Sequence, residues 1–239
     1  MIKSVIRKLV RNCGFDIHRY NSATSSDAQF IAMLRDHKVN LIFDIGANIG
    51  QFGKYLRNIG YQGRIVSFEP LTSARRKLLI VSRNDPLWDV APQAAIGGED
   101  GEISIHISGN SVSSSMLNML DSHLNSAPES SYIGSERVLL KCLDSLASQY
   151  LTSETILFIK IDTQGYEDQV IKGATQTLEK AAGLQVELSL VPLYEGQRLY
   201  DYIVAQLKLI GFNLWGISPA FTDIQTGRLL QVDANFFRQ

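Results

Sequence analysis

Cys13 and Cys142 are the only two cysteines in the 239 residues, and they stand far apart. That excludes a CxxC-type zinc site and a dense disulfide framework, and it fits a reducing, cytoplasmic home. No apolar run approaches the ~18 residues that a spanning helix needs. Neither sign of charge is in excess, with 23 Lys and Arg against 24 Asp and Glu. This leaves no extended basic surface for nucleic acid, although a local basic patch stays open. Hydrophobic residues make up 45% of the chain and charged ones 20%, so disorder throughout is excluded. The length suits one sizeable core or two small ones. There is neither an internal repeat nor a linker-like run.

The first stretch, MIKSVIRKLVRNCG, sets Ile2, Val5, Ile6, Leu9 and Val10 on one helical stripe, with Lys3, Arg7, Lys8 and Arg11 elsewhere. Charges interrupt every apolar core that a signal peptide would need. The expectation is a short helix packed on its own domain and stopped by Gly14. The alternative is a weak membrane-surface contact through residues 1–11. Residues 1–40 are read as a helical and extended segment preceding a single domain at 41–239.

From there the pattern alternates. Ser25 or Ser26 caps a helix through Phe30, Ile31 and Leu34. VNLIFDIGA is a buried strand, and Phe52, Tyr55, Leu56 and Ile59 form one helical face. GRIVSFEP is a second strand, residues 72–82 a helix, and WDVAPQAAIG a third, weaker strand. NDPLW before it reads as a turn. GEISIHIS alternates as a half-exposed strand, and residues 109–135 form a long polar loop containing SVSSSM. TILFIKID is a buried strand that turns at TQG into a helix carrying Val170, Ile171, Ala174 and Leu178. LQVELSL is a strand, and a helix from Leu199 to Leu207 ends at Gly211. FNLWGIS and VDANFFRQ close the chain as strands around a Thr226–Gly227 turn. Strand–helix alternation of this kind predicts an α/β fold: a doubly wound, mostly parallel sheet with an antiparallel C-terminal edge.

Such sheets bind ligands at the carboxyl ends of their strands. FDIGANIG puts Asp44 at one strand end, with Gly46 and Gly50 flanking the turn into the next helix. The spacing is GxxxG rather than GxGxxG. Asn48 occupies the position where a pyrophosphate would need clearance, so a small zwitterion fits better. Its carboxylate is expected near the loop amides and helix N-terminus, and its ammonium near Asp44. Glu69, followed by Pro70, ends the second strand at the position suited to accept both ribose hydroxyl hydrogens. An amino acid joined to a nucleoside is S-adenosylmethionine.

Together, IFDIGANIGQF, IVSFEP, AAIG, KCLDSL, IKIDTQGYEDQVIKGA and LLQVDANFF resemble the FkbM family of S-adenosylmethionine-dependent methyltransferases from about Leu41 onward. The resemblance implies a Rossmann-like class I methyltransferase fold. It also implies a cofactor site at Asp44, Gly46, Ala47, Asn48, Gly50, Gln51, Glu69, Pro70, Ala95, Ile96, Ser114 and Asp162. Its implied reaction is O-methylation of a hydroxyl on a sugar, glycoconjugate or glycosylated natural product. Gln164 departs from the pattern, since many members carry glutamate there.

A hydroxyl acceptor must lose a proton, which calls for a nearby base. Asp162, at the end of ILFIKI, is the first candidate as base, acceptor orienter or metal ligand, against a plain helix cap. Glu187 in LQVELSL either faces the acceptor or pairs with a basic group in the core. Asp233 is a candidate for the cleft edge. Glu167 and Asp168 are read as complements to a helix dipole. His106 and His123 are expected to be solvent-exposed, with His123 kept open because Ser113–Ser115 and their surroundings have the makings of a lid. No zinc spacing occurs, and carboxylates alone leave a magnesium site open. Other readings are a nicotinamide-dependent oxidoreductase and a silent cofactor-binding module. The acceptor is expected to be a small molecule or glycan rather than nucleic acid.

Overall fold

The computed structural model describes residues 8, 10–17 and 19–238. Most of the expected amphipathic N-terminal helix therefore lies outside the described residues. Only Lys8 and residues 10–12 are seen as helical, followed by Gly14 in the left-handed region.

Seven strands form the main sheet: β1 Leu41–Ile45, β2 Arg64–Phe68, β3 Trp88–Val90, β7 Leu157–Ile161, β8 Ala181–Ser189, β9 Asn213–Thr222 and β10 Leu229–Phe237. Their order is β3-β2-β1-β7-β8-β10-β9. The first five run parallel, while β10 is antiparallel to β8 and β9 antiparallel to β10. This is the doubly wound sheet with an antiparallel edge that the alternation predicts.

Side chains alternate between sheet faces with a period of two. Leu41, Phe43, Ile45, Ile159 and Ile161 enter one core with residues of α5 Leu143–Ala147, α6 Glu167–Lys172, α7 Thr175–Lys180 and α8 Tyr200–Leu209. Ile42, Ile65 and Phe158 enter the opposite core with α1 Ser26–Asp36, α2 Gln51–Asn58 and Leu78 of α3 Thr72–Ser82. Helices thus cover both faces, as buried parallel strands require. The Ser25 hydroxyl caps α1 by accepting the Ala28 N–H.

Two expected elements divide. WDVAPQAAIG supplies β3 to the main sheet, but its second part, β4 Ala95–Ile96, joins a small sheet of order β4-β6-β5. Its partners are β5 Gly101–Ser108 and β6 Tyr132–Lys141. The single helix expected after TQG is two short ones, α6 and α7, broken at Gly173. A Cβ there would lie 1.9 Å from the Gly97 carbonyl oxygen, so close backbone approach sets the break. The polar loop also holds a helix, α4 Asp121–Ser126.

Candidate functional site

A cavity of about 580 Å³ opens at the carboxyl ends of β1, β2 and β7. Strand parity builds its floor. Register aligns Ser67 with Asp44, Asp44 with Lys160, Lys160 with Gln185 and Gln185 with Asn235. These five polar side chains form one row across five strands. Two residues further along the same face come Glu69, Gly46, Asp162, Glu187 and Asp233, with Glu187 and Asp233 directly opposite each other.

One half of the cavity is lined by residues expected at a cofactor site: Gly46, Ala47, Asn48, Gln51, Glu69, Pro70, Ala95, Ile96, Ser114 and Asp162. Phe68, Leu71, Ile105 and Met116 add apolar surface to it. The other half is walled by Asp27 and Phe30 of α1, Phe52 and Tyr55 of α2, Gln185, Glu187, Asp233 and Asn235, and residues 217–220 of β9. Asp44 and Gly50 do not line it.

The glycine loop is shaped by the protein's own packing. Gly46 has φ +79°, and a Cβ there would come within 1.8 Å of the Asp162 carbonyl oxygen. Gly50 has φ +87° and lies against Leu78 and Trp88. The loop amides expected to hold a ligand carboxylate are already engaged. The Gly46 and Ala47 N–H groups donate to the Phe68 carbonyl at 3.1 and 3.0 Å. The Asn48 N–H donates to Glu69 Oε2 at 2.7 Å. Glu69 Oε1 accepts the Leu71 N–H at 2.8 Å. Burial at 5% exposure is the main cause raising the Glu69 carboxyl to about 7, and the two amide bonds oppose the rise.

Asp44 is fully buried and lies beneath the cavity. Its Oδ2 accepts from the Ser67 hydroxyl at 3.1 Å, which in turn accepts the Trp88 indole N–H at 3.0 Å. Its Oδ1 has no hydrogen-bond partner and faces the Lys160 ammonium at 3.5 Å. Lys160 stands where the sequence reading placed a ligand ammonium. Desolvation raises the Asp44 carboxyl and Lys160 opposes the rise. Lys160 also meets Asp162 Oδ2 at 3.1 Å and sits over the Phe52 ring at 5.3 Å. Burial pulls its pKa down, but Asp162 and Asp44 outweigh that, and the net shift is upward.

The acids gather around an amide. Gln164 Nε2 donates to Asp162 Oδ1 and to Glu187 Oε2, both at 2.7 Å. Gln231 Nε2 adds a second bond to Glu187 Oε2 at 2.8 Å. Glu187 therefore pairs with amides, not with a basic group in the core. Burial first, then the charges of Asp162 and Asp233, hold its carboxyl well above the ordinary range. Asp233 is raised to about 6, chiefly by burial and then by Asp162. Asp233, raised to about 6 and facing the cavity beside one ammonium, can accept a proton near neutral pH, and Glu187 stands directly opposite it.

Several sequence expectations change. Glu167 is buried, and its Oε1 accepts from the Thr163 and Gly165 N–H groups and from the Thr163 hydroxyl. It therefore closes the strand-to-helix turn, which is more than a dipole complement. His123 is buried at 2% exposure, packed against Tyr194 and Phe221, with Nδ1 unpartnered. Desolvation lowers its pKa to about 4. His106 is half-buried and stacks on Tyr132. The serine-rich loop is pinned: Ser115 donates to the Gln164 carbonyl at 2.6 Å, and Asn48 reaches the Ser111 hydroxyl at 3.3 Å.

The sequence reading missed Lys160, Tyr194, Gln231 and the Gln185–Asn235 amide pair, bonded at 3.1 Å. Lys160 left a signal, because a lysine within an otherwise apolar parallel strand needs a buried counter-charge. Tyr194 and Gln231 left none. Among the described residues no helix is long and apolar enough to cross a membrane.

The model of the methyltransferase FkbM domain matches residues 44–214. No curated protein matches the chain. Among solved structures, an S-adenosylmethionine-dependent methyltransferase from Mesorhizobium loti is similar at 8% identity and TM-score 0.49, covering 91% of this chain and 100% of its own. Magnesium protoporphyrin IX methyltransferase from Synechocystis PCC 6803 gives 9% identity, TM-score 0.48 and coverage of 99% and 97%. Aeropyrum pernix fibrillarin, solved with S-adenosylmethionine bound, gives 10% identity, TM-score 0.46 and coverage of 83% and 66%.

Proposed function

Since the chain belongs to the FkbM family of S-adenosylmethionine-dependent methyltransferases, we propose that it methylates a hydroxyl of a sugar, glycoconjugate or glycosylated natural product. The oxidoreductase alternative falls with the family membership. The observation that carries the substrate class is the second half of the cavity. Phe52 and Tyr55, packed on the buried Phe30, offer aromatic surface to sugar C–H groups, beside the Gln185–Asn235 amides and the carboxylates of Asp233 and Glu187. Aromatic faces next to paired donors and acceptors suit a polyol.

The lining fits the cofactor. Glu69 is a buried carboxylate at a strand tip with acceptor capacity left for ribose hydroxyls. Ala95, Ile96, Ile105 and Met116 give an apolar slot for a base. Asp162 suits an ammonium, and Lys160, the one cation among the lining residues described, suits a carboxylate. Held there by Glu69, Asp162 and Lys160, the cofactor would supply an activated methyl group on a positively charged sulfur for transfer to the acceptor oxygen.

The chain's own residues orient the hydroxyl and take its proton. Both amide N–H bonds to Glu187 fall on Oε2, and no hydrogen bond from the described residues reaches Oε1. Glu187 Oε1 is the proton acceptor in this reading. Asp162, held by Lys160 and Gln164, orients the donor side. Ser111 and Ser115 keep the loop closed over the cleft and limit water.

Charge supports a glycan over nucleic acid. Asp27, Glu69, Asp162, Glu187 and Asp233 line the cavity against Lys160 alone among the lining residues described. Such a wall repels a phosphate backbone.

The test is methyl transfer from labelled S-adenosylmethionine to a panel of oligosaccharides, glycosylated natural products and RNA. The expected result is label in an O-methyl ether, with Glu187→Gln slowing turnover ~10²–10⁴-fold. Label in RNA would overturn the substrate class. Tight cofactor binding without any transfer would favour the silent module.

A further inference from the structure

The most unusual contact in the cavity is made by a neutral side chain. Gln164 has φ +55° and is 9% exposed. Its Nε2 stands 2.7 Å from Asp162 Oδ1 and 2.7 Å from Glu187 Oε2, with one amide hydrogen for each carboxylate. The orientation is fixed at the other end, because the Tyr194 hydroxyl donates to Gln164 Oε1 at 2.7 Å. The backbone is held as well, by Ser115 on the Gln164 carbonyl at 2.6 Å. An inverted amide would aim its oxygen at two carboxylates and its nitrogen at a phenol proton.

Two carboxylate oxygens converging on one point could be bridged by a hard divalent cation, which takes about six oxygens at roughly 2.0–2.6 Å. Here an N–H₂ group occupies that point, and its hydrogens repel a cation. Gln231 Nε2 covers Glu187 Oε2 from another side at 2.8 Å, and the Lys160 ammonium takes Asp162 Oδ2 at 3.1 Å. Among the described residues no three His, Cys, Asp or Glu side chains are arranged to hold an ion.

We infer that Gln164 is a positioning residue whose amide takes the place of a divalent cation between Asp162 and Glu187, so that the acid pair is aligned for its work without a metal. The catalytic consequence rests on the reading of Glu187 as proton acceptor. The metal consequence does not, because it follows from the donor set alone. A glutamate at 164 would remove both donor hydrogens and bring three carboxylates to one point. That arrangement repels itself unless a cation enters.

The experiment compares wild type, Gln164→Glu and Gln164→Ala as full chains with S-adenosylhomocysteine present. Mn²⁺ binding is followed by electron paramagnetic resonance and melting by calorimetry, both with and without Mn²⁺. Wild type should bind no Mn²⁺ at the cleft and melt at the same temperature with or without it. Gln164→Glu should bind Mn²⁺ more tightly than wild type by on the order of tenfold or more, because ligand charge tunes cation affinity. Its melting temperature should fall and be restored by Mn²⁺, whereas Gln164→Ala, which clears the amide but adds no third carboxylate, should fall and be restored less. A merely structural glutamine would leave both variants equally unresponsive to the ion. Wild-type Mn²⁺ binding that is abolished by Glu187→Gln would overturn the inference, as would Gln164→Glu binding no better than wild type. These readouts need no acceptor, so they stand whether or not a glycan is methylated.

Discussion

If Glu69 holds the ribose as proposed, it should couple cofactor binding to pH. Its carboxyl is raised to about 7 from an ordinary 4.5 because the residue is almost wholly buried. A ribose diol donates to the ionised form, so binding favours loss of the proton. In the free protein the group is half protonated near pH 7, and each unit below that removes most of the binding-competent carboxylate. Affinity should therefore rise with pH and level off above about 7. Between pH 8.5 and 5.5 the dissociation constant of S-adenosylhomocysteine should weaken by up to roughly 30-fold if the bound-state value falls well below 5. Glu69→Gln removes the titration. It also turns one oxygen acceptor into a donor that confronts the Asn48 or Leu71 N–H. Losing a charge-assisted bond costs about 1.5–3 kcal/mol, or roughly 10- to 150-fold in affinity. Isothermal titration calorimetry over this pH range, on both proteins, is the assay. A flat wild-type profile, or a Gln variant that binds as tightly as wild type at pH 8, would refute the reasoning.

Other perturbations have equally definite outcomes. Lys160→Met strands the buried Asp44 carboxylate and should cost about 3–5 kcal/mol. By calorimetry that is a loss of roughly 10 °C in melting temperature, and a fall of a degree or two would remove Lys160 from its role. His123 loses stability to the unfolded state as pH drops from 6.5 through about 4, because only the unfolded ring gains its proton there. His123→Phe should flatten that acid limb by up to about 3 kcal/mol in urea titrations at pH 7 and pH 4; parallel titrations of the two proteins would contradict it. Gly46→Ala must bear both a left-handed backbone and the clash with Asp162, roughly 2–4 kcal/mol together. Gly227→Ala, at φ +73° with open space around it, should cost only about 1 kcal/mol. Equal losses in the two alanine variants would dismiss the clash.

Apolar runs such as LIFDI and LFIKI made the parallel strands legible, because a strand buried on both faces leaves a continuous signal. The strand-end acids Glu69, Asp162 and Glu187 were legible for the same reason: a charge closing such a run has only the sheet's edge to go to. Partners distant in the chain were not. Nothing near Gln164 announces Tyr194 or Glu187, and a serine-rich neighbourhood gave His123 no hint of the ring that Tyr194 and Phe221 bury. The glycines were legible as turn residues, but their crowding by Asp162 and Trp88 depends on neighbouring strands. The loop amides looked available because the sequence does not show that the end of β2 accepts them.

The two sides of the cleft are drawn from different stretches of chain. The donor side comes from the loops that follow β1, β2 and β7 and from the small sheet, all within residues 44–214. Much of the facing side comes from Asp27 and Phe30 before that stretch, and from residues 217–220, Asp233 and Asn235 after it. On the proposed division of the cleft, mutations in the two chain ends should retune what is modified and leave the cofactor half untouched. Grafting those ends between relatives offers a direct route to changed acceptor choice.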